Sequence, residues 1–180
     1  MNRSMEAHHV LKSEGLEVES YGVGSQVKIP GTSANRPNIY PFGTPYRSIY
    51  EQLKAENEAA YARIGLIEML ERNMKVKEAP QRWQDTRTFD VDVVITFDDG
   101  VFDKLMDDMQ RRGQSGARSM LIINMSVVDN HVEAGKAAPL ALRLCRDLNE
   151  SEDWEDDVDD IMDKFSKETG RKPFYTICFV

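Results

Sequence analysis

Apolar and polar positions along the first part of the chain predict a helix, a strand and a long irregular segment. The helix covers residues 5–14, with Ser4 as its N-terminal cap and Gly15 at its end. Apolar and charged residues alternate over 16–21, which predicts a strand with one exposed face. Residues 27–46 contain four prolines, and this density predicts an extended, rigid excursion that is not helical. Long irregular segments inside compact domains are more often functional than idle.

The rest of the chain alternates between helical and strand patterns. The predicted elements are helices over 46–59 and 60–74, a strand over 91–97, a helix over 101–111, a strand over 120–123, a helix over 133–148, a helix capped by Ser151 and a strand over 174–180. The apolar residues predicted to face inward on the first two of these helices are Ile49, Leu53, Tyr61, Ile64, Ile67 and Leu70. This order predicts an α/β fold with a doubly wound, mostly parallel sheet, which binds ligands at the carboxyl ends of its strands. A chain of 180 residues is the size of one domain.

Composition narrows the class of protein. The formal net charge of −8 argues against a general nucleic-acid binder, which usually has a basic face. The apolar runs are shorter than the roughly 20 residues that span a bilayer, so no membrane partner is predicted either. The two cysteines, Cys145 and Cys178, are typical of a reducing compartment and not of a disulfide scaffold. Cytosol and nucleus both fit this composition.

The pair Arg3-Ser4 at the start of the first helix has the form of the end of a phosphate-binding loop, C-x5-R-S. In that loop a cysteine six residues before the arginine attacks phosphorus, and the helix N-terminus attracts the anion. A guanidinium binds two phosphate oxygens at once, which makes Arg3 the strongest single candidate. The alternative is an ordinary exposed arginine near a chain terminus. Neither cysteine of this chain has an arginine six residues further on.

Asp129 is the second candidate, because it follows a predicted buried strand. A carboxyl group there can protonate a departing serine oxygen and then activate water for a second step. The alternative is a helix cap or an Asx turn. The histidines, His8, His9 and His131, lack ligand spacing, and the acidic run over 150–163 lacks the glycine and alternating ligands of a calcium loop. No metal or other cofactor is therefore predicted.

Segments spread over the whole chain carry a resemblance to one known family. They are NRSMEAH at 2–8, VKIPG at 27–31, RPNIY at 36–40, GLIEML at 65–70, RN at 72–73, APQRW at 79–83, DNH at 129–131, WED at 154–156 and the C-terminal aromatic strand. Together they are specific. The chain resembles the RNA polymerase II C-terminal-domain phosphatases of the small cysteine-phosphatase type, which work within the mRNA 3′-end processing machinery.

This resemblance implies a phosphoserine phosphatase that acts on the polymerase heptad repeat through a cysteinyl-phosphate intermediate, without a metal. It implies that Asn2 and Arg3 bind the phosphoryl group and that Ser4 hydrogen-bonds the cysteine sulfur. Asp129 is implied to be the general acid and then the base. The residues implied to line the peptide groove are Met5, Lys28, Pro30, Tyr61, Leu66 and Met69.

The resemblance also implies an architecture and partners. The fold would be that of the low-molecular-weight cysteine phosphatases, as one domain over 1–180. In it, residues 27–74 form the substrate groove, and residues 151–180 form an acidic helix and a strand. The implied partners are the phosphorylated C-terminal-domain peptide of RNA polymerase II and a scaffold protein of the cleavage and polyadenylation machinery. The implied location is the nucleus.

The chain departs from the family pattern in three ways. The cysteine loop and the central first strand have no counterpart in residues 1–180, so we expect this chain to be unstable alone. Ser126 stands where relatives usually carry an acidic residue, which leaves open how Asp129 is held. Val132 stands where relatives commonly have glutamate, and we expect little from that change.

Two hypotheses follow from the missing cysteine. In the first, the protein is an enzyme whose natural form continues upstream and includes the strand and the cysteine. In the second, the protein is a catalytically inactive relative that keeps the peptide groove and its scaffold contacts. Retention of Arg3, Ser4 and Asp129 favours the first hypothesis.

We predict that a polypeptide of residues 1–180 alone releases no phosphate from a phosphoserine heptad peptide. The reason is that none of its cysteines precedes an arginine by six positions. The measurement is phosphate release over time in the presence of excess chelator. Release above the enzyme-free blank under these metal-free conditions would contradict the prediction.

Overall fold

The computed structural model describes residues 2–32, 36–87, 90–113, 116 and 118–180. The chain divides into two compact units, Met1–Thr86 and Arg87–Val180. Each unit is described by itself below. The organisation of residues 1–180 as one domain stays a prediction.

The described residues of the first unit form three helices and four short strands. They are α1 (Asn2–Ser13), β1 (Tyr21–Gly22), β2 (Val27–Ile29), β3 (Asn38–Tyr40), α2 (Tyr46–Arg63), α3 (Leu66–Val76) and β4 (Gln81–Arg82), followed by a 3₁₀ turn at Trp83–Asp85. β2 pairs with β3 in antiparallel fashion, and β1 pairs with β4 in parallel. The described part of the proline-rich excursion is therefore extended, as predicted, but it contains a two-stranded ribbon that the prolines did not reveal.

Helix α1 begins earlier than predicted. It starts at Asn2, so Ser4 lies inside the first turn and is not the N-cap. The helix ends at Ser13, and the predicted Gly15 follows in the closing turn with a φ of 84° that suits glycine. The Leu16 N–H closes this turn with a 3.1 Å bond to the Leu11 carbonyl. The predicted strand over 16–21 is wrong apart from its last residue, because its partner β4 is only two residues long.

Helices α2 and α3 divide at different points from those predicted. Helical geometry is interrupted at Asn57, whose Oδ1 accepts a 3.1 Å hydrogen bond from the Ala60 N–H and so caps a new start. Helix α3 begins only after Gly65, which has a φ of 74°. Ile64 consequently lies in a turn and is 49% exposed, so its predicted inward orientation is wrong. The other predicted inner residues are buried, namely Ile49, Leu53, Tyr61, Ile67 and Leu70.

The second unit is built around a three-stranded sheet in its described residues. Its elements are β5 (Val93–Thr96), α4 (Asp99–Arg112), β6 (Ser119–Asn124), α5 (His131–Glu150), α6 (Trp154–Thr169) and β7 (Phe174–Phe179). β6 is central, with β5 parallel on one side and β7 antiparallel on the other. All six residues of β6 are buried, as the apolar run predicted.

The start of α6 differs from the sequence-based expectation. Asp153 caps this helix by accepting a hydrogen bond from the Asp156 N–H, whereas Ser151 ends α5. The Ser151 hydroxyl instead contacts Asp157 at 2.7 Å and accepts a bond from the Asp153 N–H. Serine and aspartate are both good N-caps, so the sequence alone did not show whether Ser151 or Asp153 caps the helix.

Two phenylalanines of the second unit differ in burial, and this difference leads to a stability prediction. Phe165 on α6 is fully buried, whereas Phe174 at the start of β7 is 64% exposed. We expect Phe165→Ala to lower the free energy of unfolding by about 3–5 kcal/mol, measured by urea denaturation. Phe174→Ala is the matched control, with an expected loss under about 1 kcal/mol.

A Phe165→Leu variant keeps the test usable if the alanine variant does not fold. Its loss should fall between those of the two alanine variants. Equal losses at Phe165 and Phe174 would contradict the assignment of Phe165 to the core.

Candidate functional site

The first turn of α1 carries Asn2, Arg3 and Ser4, three of the predicted site residues. All three side chains are partly buried. The first N–H groups of a helix lack partners within that helix, and the helix dipole adds a partial positive charge there. The structure thus places the Arg3 residue in a turn that attracts anions, although Ser4 does not cap it.

Arg72 on α3 holds this turn in place. Its Nη2 donates to the Asn2 Oδ1 at 3.0 Å, and its Nη1 forms a short ion pair with Glu6. The same guanidinium also donates to the Oδ1 of Asn73, and Asn73 has no exposed surface. Burial lowers the pKa of Arg72, and the Glu6 carboxylate opposes that shift. A guanidinium stays charged at neutral pH, so the ion pair persists.

A second contact fixes the other end of α1. The Lys12 Nζ donates to the carbonyl of Val76, the last residue of α3, at 2.9 Å. Helix α1 is therefore bound to α3 through polar contacts near both of its ends. Between them, Met5 packs in the same buried cluster as Leu66 and Met69.

His8 lies on the buried side of α1. It is 2% exposed, and its Nδ1 lies 2.8 Å from the Ser20 hydroxyl, which donates in turn to the Met5 sulfur at 3.2 Å. Burial, and next the positive charge of Lys77, lower the pKa of His8 to about 4. The imidazole is therefore neutral at physiological pH.

The residues predicted to line the peptide groove fall into two groups. Met5, Tyr61, Leu66 and Met69 lie together in one buried cluster, where Tyr61 is only 1% exposed. The Tyr61 hydroxyl accepts a 3.1 Å bond from the Asn38 Nδ2. The other group, Lys28 and Pro30, is exposed. Only the second group presents a substantial surface to a peptide in this structure.

A cleft of about 600 Å³ opens beside the exposed group. Its lining residues are Gly31, Thr32, Arg36, Pro37, Asn38, Glu56 and Tyr61. Sequence reasoning had not assigned Arg36, Asn38 or Glu56 to the site. The segment RPNIY at 36–40 contains Arg36 and Asn38 and could have pointed to them. Nothing in the sequence pattern of α2 distinguishes Glu56.

Asp129 lies in the loop between β6 and α5 and is exposed. The loop starts with two bonds that continue the sheet, from the Met125 N–H to the Thr96 carbonyl at 2.9 Å and from the Val127 N–H to the Phe97 carbonyl at 3.1 Å. Asn130 caps α5. The alternative of a helix cap at Asp129 is therefore wrong, since capping falls to the next residue. Asp129 lies in the loop that follows the carboxyl end of β6, and ligands bind at such strand ends in this class of fold.

Asp99, the first residue of α4, contacts the start of this loop. Its Oδ1 accepts a short hydrogen bond from the Ser126 hydroxyl and a 2.6 Å bond from the Asn124 amide. These two bonds, Ser126 first, hold the pKa of Asp99 below its ordinary value. The loop thus has a carboxylate neighbour although position 126 is serine.

The two cysteines are unsuited to act as nucleophiles. Burial raises the pKa of the Cys145 thiol to about 11 and also raises that of Cys178. A thiol must be ionised to attack phosphorus, so both remain unreactive at neutral pH. Within the described part of the chain, no group of acidic, histidine or cysteine side chains is placed to hold a metal ion. No described helix is long and apolar enough to cross a membrane.

Arg3 and Asp129 lie in different units of the structure. An arginine in an anion-attracting helix start and an exposed carboxylate after a sheet strand are the parts expected of a protein phosphatase. The joint action of the two residues stays a prediction.

Comparison with known proteins identifies the family. The chain matches the family described as Ssu72-like protein over residues 1–180, and it belongs to that family. The RNA polymerase II C-terminal domain phosphatase SSU72 of Homo sapiens is 35% identical over 178 residues, which cover 99% of this chain and 91% of the relative. The protein of that name from Dictyostelium discoideum is 39% identical over 181 residues, or 99% of this chain and 85% of the relative.

Solved structures agree with this assignment. The serine phosphatase of the RNA polymerase II C-terminal domain from Drosophila melanogaster gives a TM-score of 0.95 at 35% identity, covering 100% of this chain and 94% of that chain. Drosophila melanogaster Ssu72, in a complex with Symplekin and a cis peptidomimetic phosphoserine peptide of the C-terminal domain, gives 0.95 at 33% identity, with coverage of 100% and 93%. The predicted α/β fold with mostly parallel strands is thereby confirmed. The missing first strand stays a prediction.

Burial of His8 generates a pH prediction. Because the unfolded chain binds a proton near pH 6.5 and the folded chain only near pH 4, protonation between these values favours unfolding. We expect the stability conferred by neutral His8 to be complete above pH 6.5 and to fall by at most about 1.4 kcal/mol per pH unit below it. The measurement is the free energy of unfolding between pH 4 and 7.

The His8→Asn variant tests this directly. It should lose stability at pH 7 but show a shallower decline toward pH 4 than the parent. The exposed neighbour His9, changed to Asn, is the matched control and should keep the parent's slope. The same slope in the parent and in His8→Asn would rule out a buried neutral imidazole.

Proposed function

We propose that this protein recognises and dephosphorylates phosphoserine in the C-terminal heptad repeats of the largest RNA polymerase II subunit. The observation that carries the proposal is the match to the family over the whole chain, including the residues of the anion-attracting first turn of α1. The relatives from Homo sapiens and Dictyostelium discoideum carry the name of an RNA polymerase II C-terminal domain phosphatase, which supports the same substrate.

The proposed reaction has two steps. Arg3 and the first-turn N–H groups bind the phosphoryl oxygens, with Asn2 beside them, while a cysteine thiolate held by Ser4 attacks phosphorus. Asp129 gives its proton to the departing serine oxygen. It then takes a proton from water, which attacks the cysteinyl phosphate, releases inorganic phosphate and regenerates the thiolate.

This mechanism requires a cysteine six positions before Arg3, which residues 1–180 do not include. We therefore propose hydrolysis for a form of the protein that has this cysteine, and binding without hydrolysis for residues 1–180 alone. A catalytically inactive phosphopeptide-binding protein is the second candidate function, and the exposed Lys28 and Pro30 beside the cleft support binding in either case. Both candidates need the same phosphate-binding turn.

The peptide is proposed to lie along residues 27–74. Lys28 and Pro30 are exposed there, beside the cleft lined by Arg36 and Glu56. A cation suits a phosphorylated chain, and an exposed proline offers a rigid apolar contact. Met5, Tyr61, Leu66 and Met69 support this surface from the buried cluster beneath it.

We also propose a scaffold partner and a nuclear location. The structure of the Drosophila relative includes Symplekin and a cis peptidomimetic phosphoserine peptide. A corresponding scaffold protein of the cleavage and polyadenylation machinery, and a cis serine-proline bond in the substrate, are proposed for this chain. Such a complex would couple the phosphatase to mRNA processing and transcription termination.

Phosphopeptide binding tests the proposed phosphate site. We expect the protein to bind a phosphoserine heptad peptide and Arg3→Ala to weaken that binding at least about tenfold, because a charge-assisted contact is lost. Arg3→Lys should recover only part of the affinity, since lysine lacks the two-pronged geometry. The measurement is isothermal titration calorimetry.

Arg111→Ala is the matched control, because Arg111 is an exposed arginine in the last turn of α4, outside residues 27–74. It should leave affinity for the phosphopeptide unchanged. Equal losses for the Arg3 and Arg111 variants would mean that charge alone attracts the peptide. Equal affinity of the parent for the phosphorylated and the unphosphorylated peptide would contradict the proposed function.

A further inference from the structure

The carboxylate of Asp99 is available for a contact outside its own helix. The N-cap of α4 is Asp98, whose Oδ1 accepts a 3.2 Å hydrogen bond from the Val101 N–H. Asp99 follows as the first helical residue, and its side chain is exposed. Since the Asp98 side chain caps the helix, the carboxylate of Asp99 is not occupied by capping.

Two donors converge on one oxygen of Asp99. The Ser126 hydroxyl and the Asn124 Nδ2 both bond to Oδ1. The Asn124 amide cannot turn away freely, because its Oδ1 accepts a 2.8 Å bond from the buried Thr96 hydroxyl. This bond leaves the amide hydrogens of Asn124 for Asp99, so the buried pair aims a donor at the carboxylate.

Ser126 lies two residues after the end of β6. The residues on either side of it, Met125 and Val127, bond through their N–H groups to carbonyls at the end of β5 and just beyond it. The Ser126 carbonyl accepts a 3.4 Å bond from Arg171, which also lies 3.9 Å from the Glu133 carboxylate. Both the backbone and the side chain of Ser126 are therefore held.

The far end of the loop is fixed as well. Asn130 Oδ1 accepts a 2.8 Å bond from the Glu133 N–H at the start of α5. Asp129 lies between this cap and Ser126, three residues after the serine. A loop of this length with both ends held has few conformations left to its central residues.

We propose that Asp99 is a positioning residue for Asp129, acting through its hydrogen bonds to Ser126 and Asn124. The value of this position for the reaction rests on the proposed function of Asp129 as acid and base, whereas the ordering of the loop does not. At neutral pH the lowered pKa of Asp99 keeps the carboxylate ionised and able to accept both bonds. The exposed loop thus depends on a carboxylate from a different helix.

Backbone amide exchange measured by NMR on the full chain, without peptide, tests this inference. In Asp99→Ala, exchange of the Val127 and Asn130 amides should accelerate about three- to tenfold, as a charge-assisted bond is lost. The Leu121 amide, in the same strand but away from the loop, should not change. Asp103→Ala is the matched control, because Asp103 is an exposed carboxylate one turn along α4.

Rescue separates a positioning contact from general destabilisation. Ser126→Ala should accelerate the same loop amides, whereas Ser126→Thr keeps the hydroxyl and should stay within about twofold of the parent. Asp99→Ala combined with Ser126→Ala should accelerate exchange no more than Asp99→Ala alone, because both changes remove the same bond.

Two results would overturn the inference. One is unchanged Val127 and Asn130 exchange in Asp99→Ala. The other is equal acceleration at Leu121, which would show that the whole unit is destabilised and the loop is not specifically affected. Because no substrate is present, a failure here is distinct from a failure of the proposed function, which the peptide affinity of Arg3→Ala reports.

Discussion

The contact of Arg72 with Asn2 and Glu6 is the constraint on which the candidate phosphate-binding turn, the first turn of α1, depends. A helix start carries partial positive charge wherever it lies, but it serves as a binding site only when its position is fixed. The guanidinium on α3 supplies that fixation with several donors in one rigid plane. Because Leu66 and Met69 lie on the same helix, α3 joins the buried cluster of the first unit to the candidate phosphate site.

In the second unit, buried residues hold the loop that contains Asp129. Its central strand is fully buried and determines where the loop with Asp129 begins. Polar residues at the strand ends, Thr96 and Asn124, are buried yet hydrogen-bonded, and they direct the bonds that hold Ser126. In both units, then, a candidate site residue lies next to side chains that are largely buried.

Sequence patterns predicted the buried parts of the structure better than the rest. The runs around Ile122 and Val94 became paired strands, because short apolar runs rich in β-branched residues favour strands over helices. The first three residues of β5 are nevertheless only partly buried. The predicted strand over 16–21 failed, since alternation reports which side is buried and not whether a partner strand exists. The break predicted between residues 59 and 60 falls at Asn57, because asparagine is tolerated within helices and also caps them.

For the candidate site, the sequence alone singled out candidate residues but not the side chains that hold the segments around them. Arg3 stood out through the pair Arg3-Ser4, and Asp129 through its position after a predicted buried strand. Asp99, 27 positions before Ser126, could not be linked to the loop, because only the pairing of β5 with β6 brings the two residues together. Glu56 in the cleft was missed for a similar reason, because most of the other lining residues lie between 31 and 38 and only Tyr61 comes from α2.

The most direct test of the central claim is to locate the phosphoryl group on the protein. Isotope-labelled protein would be titrated with phosphorylated and unphosphorylated heptad peptide and followed by two-dimensional NMR. The account predicts phosphate-dependent shifts that are largest at the backbone amides of Arg3 and Ser4 in the first turn of α1. Phosphate-dependent shifts that leave this turn unchanged would contradict it, because the anion would then bind somewhere else on the molecule.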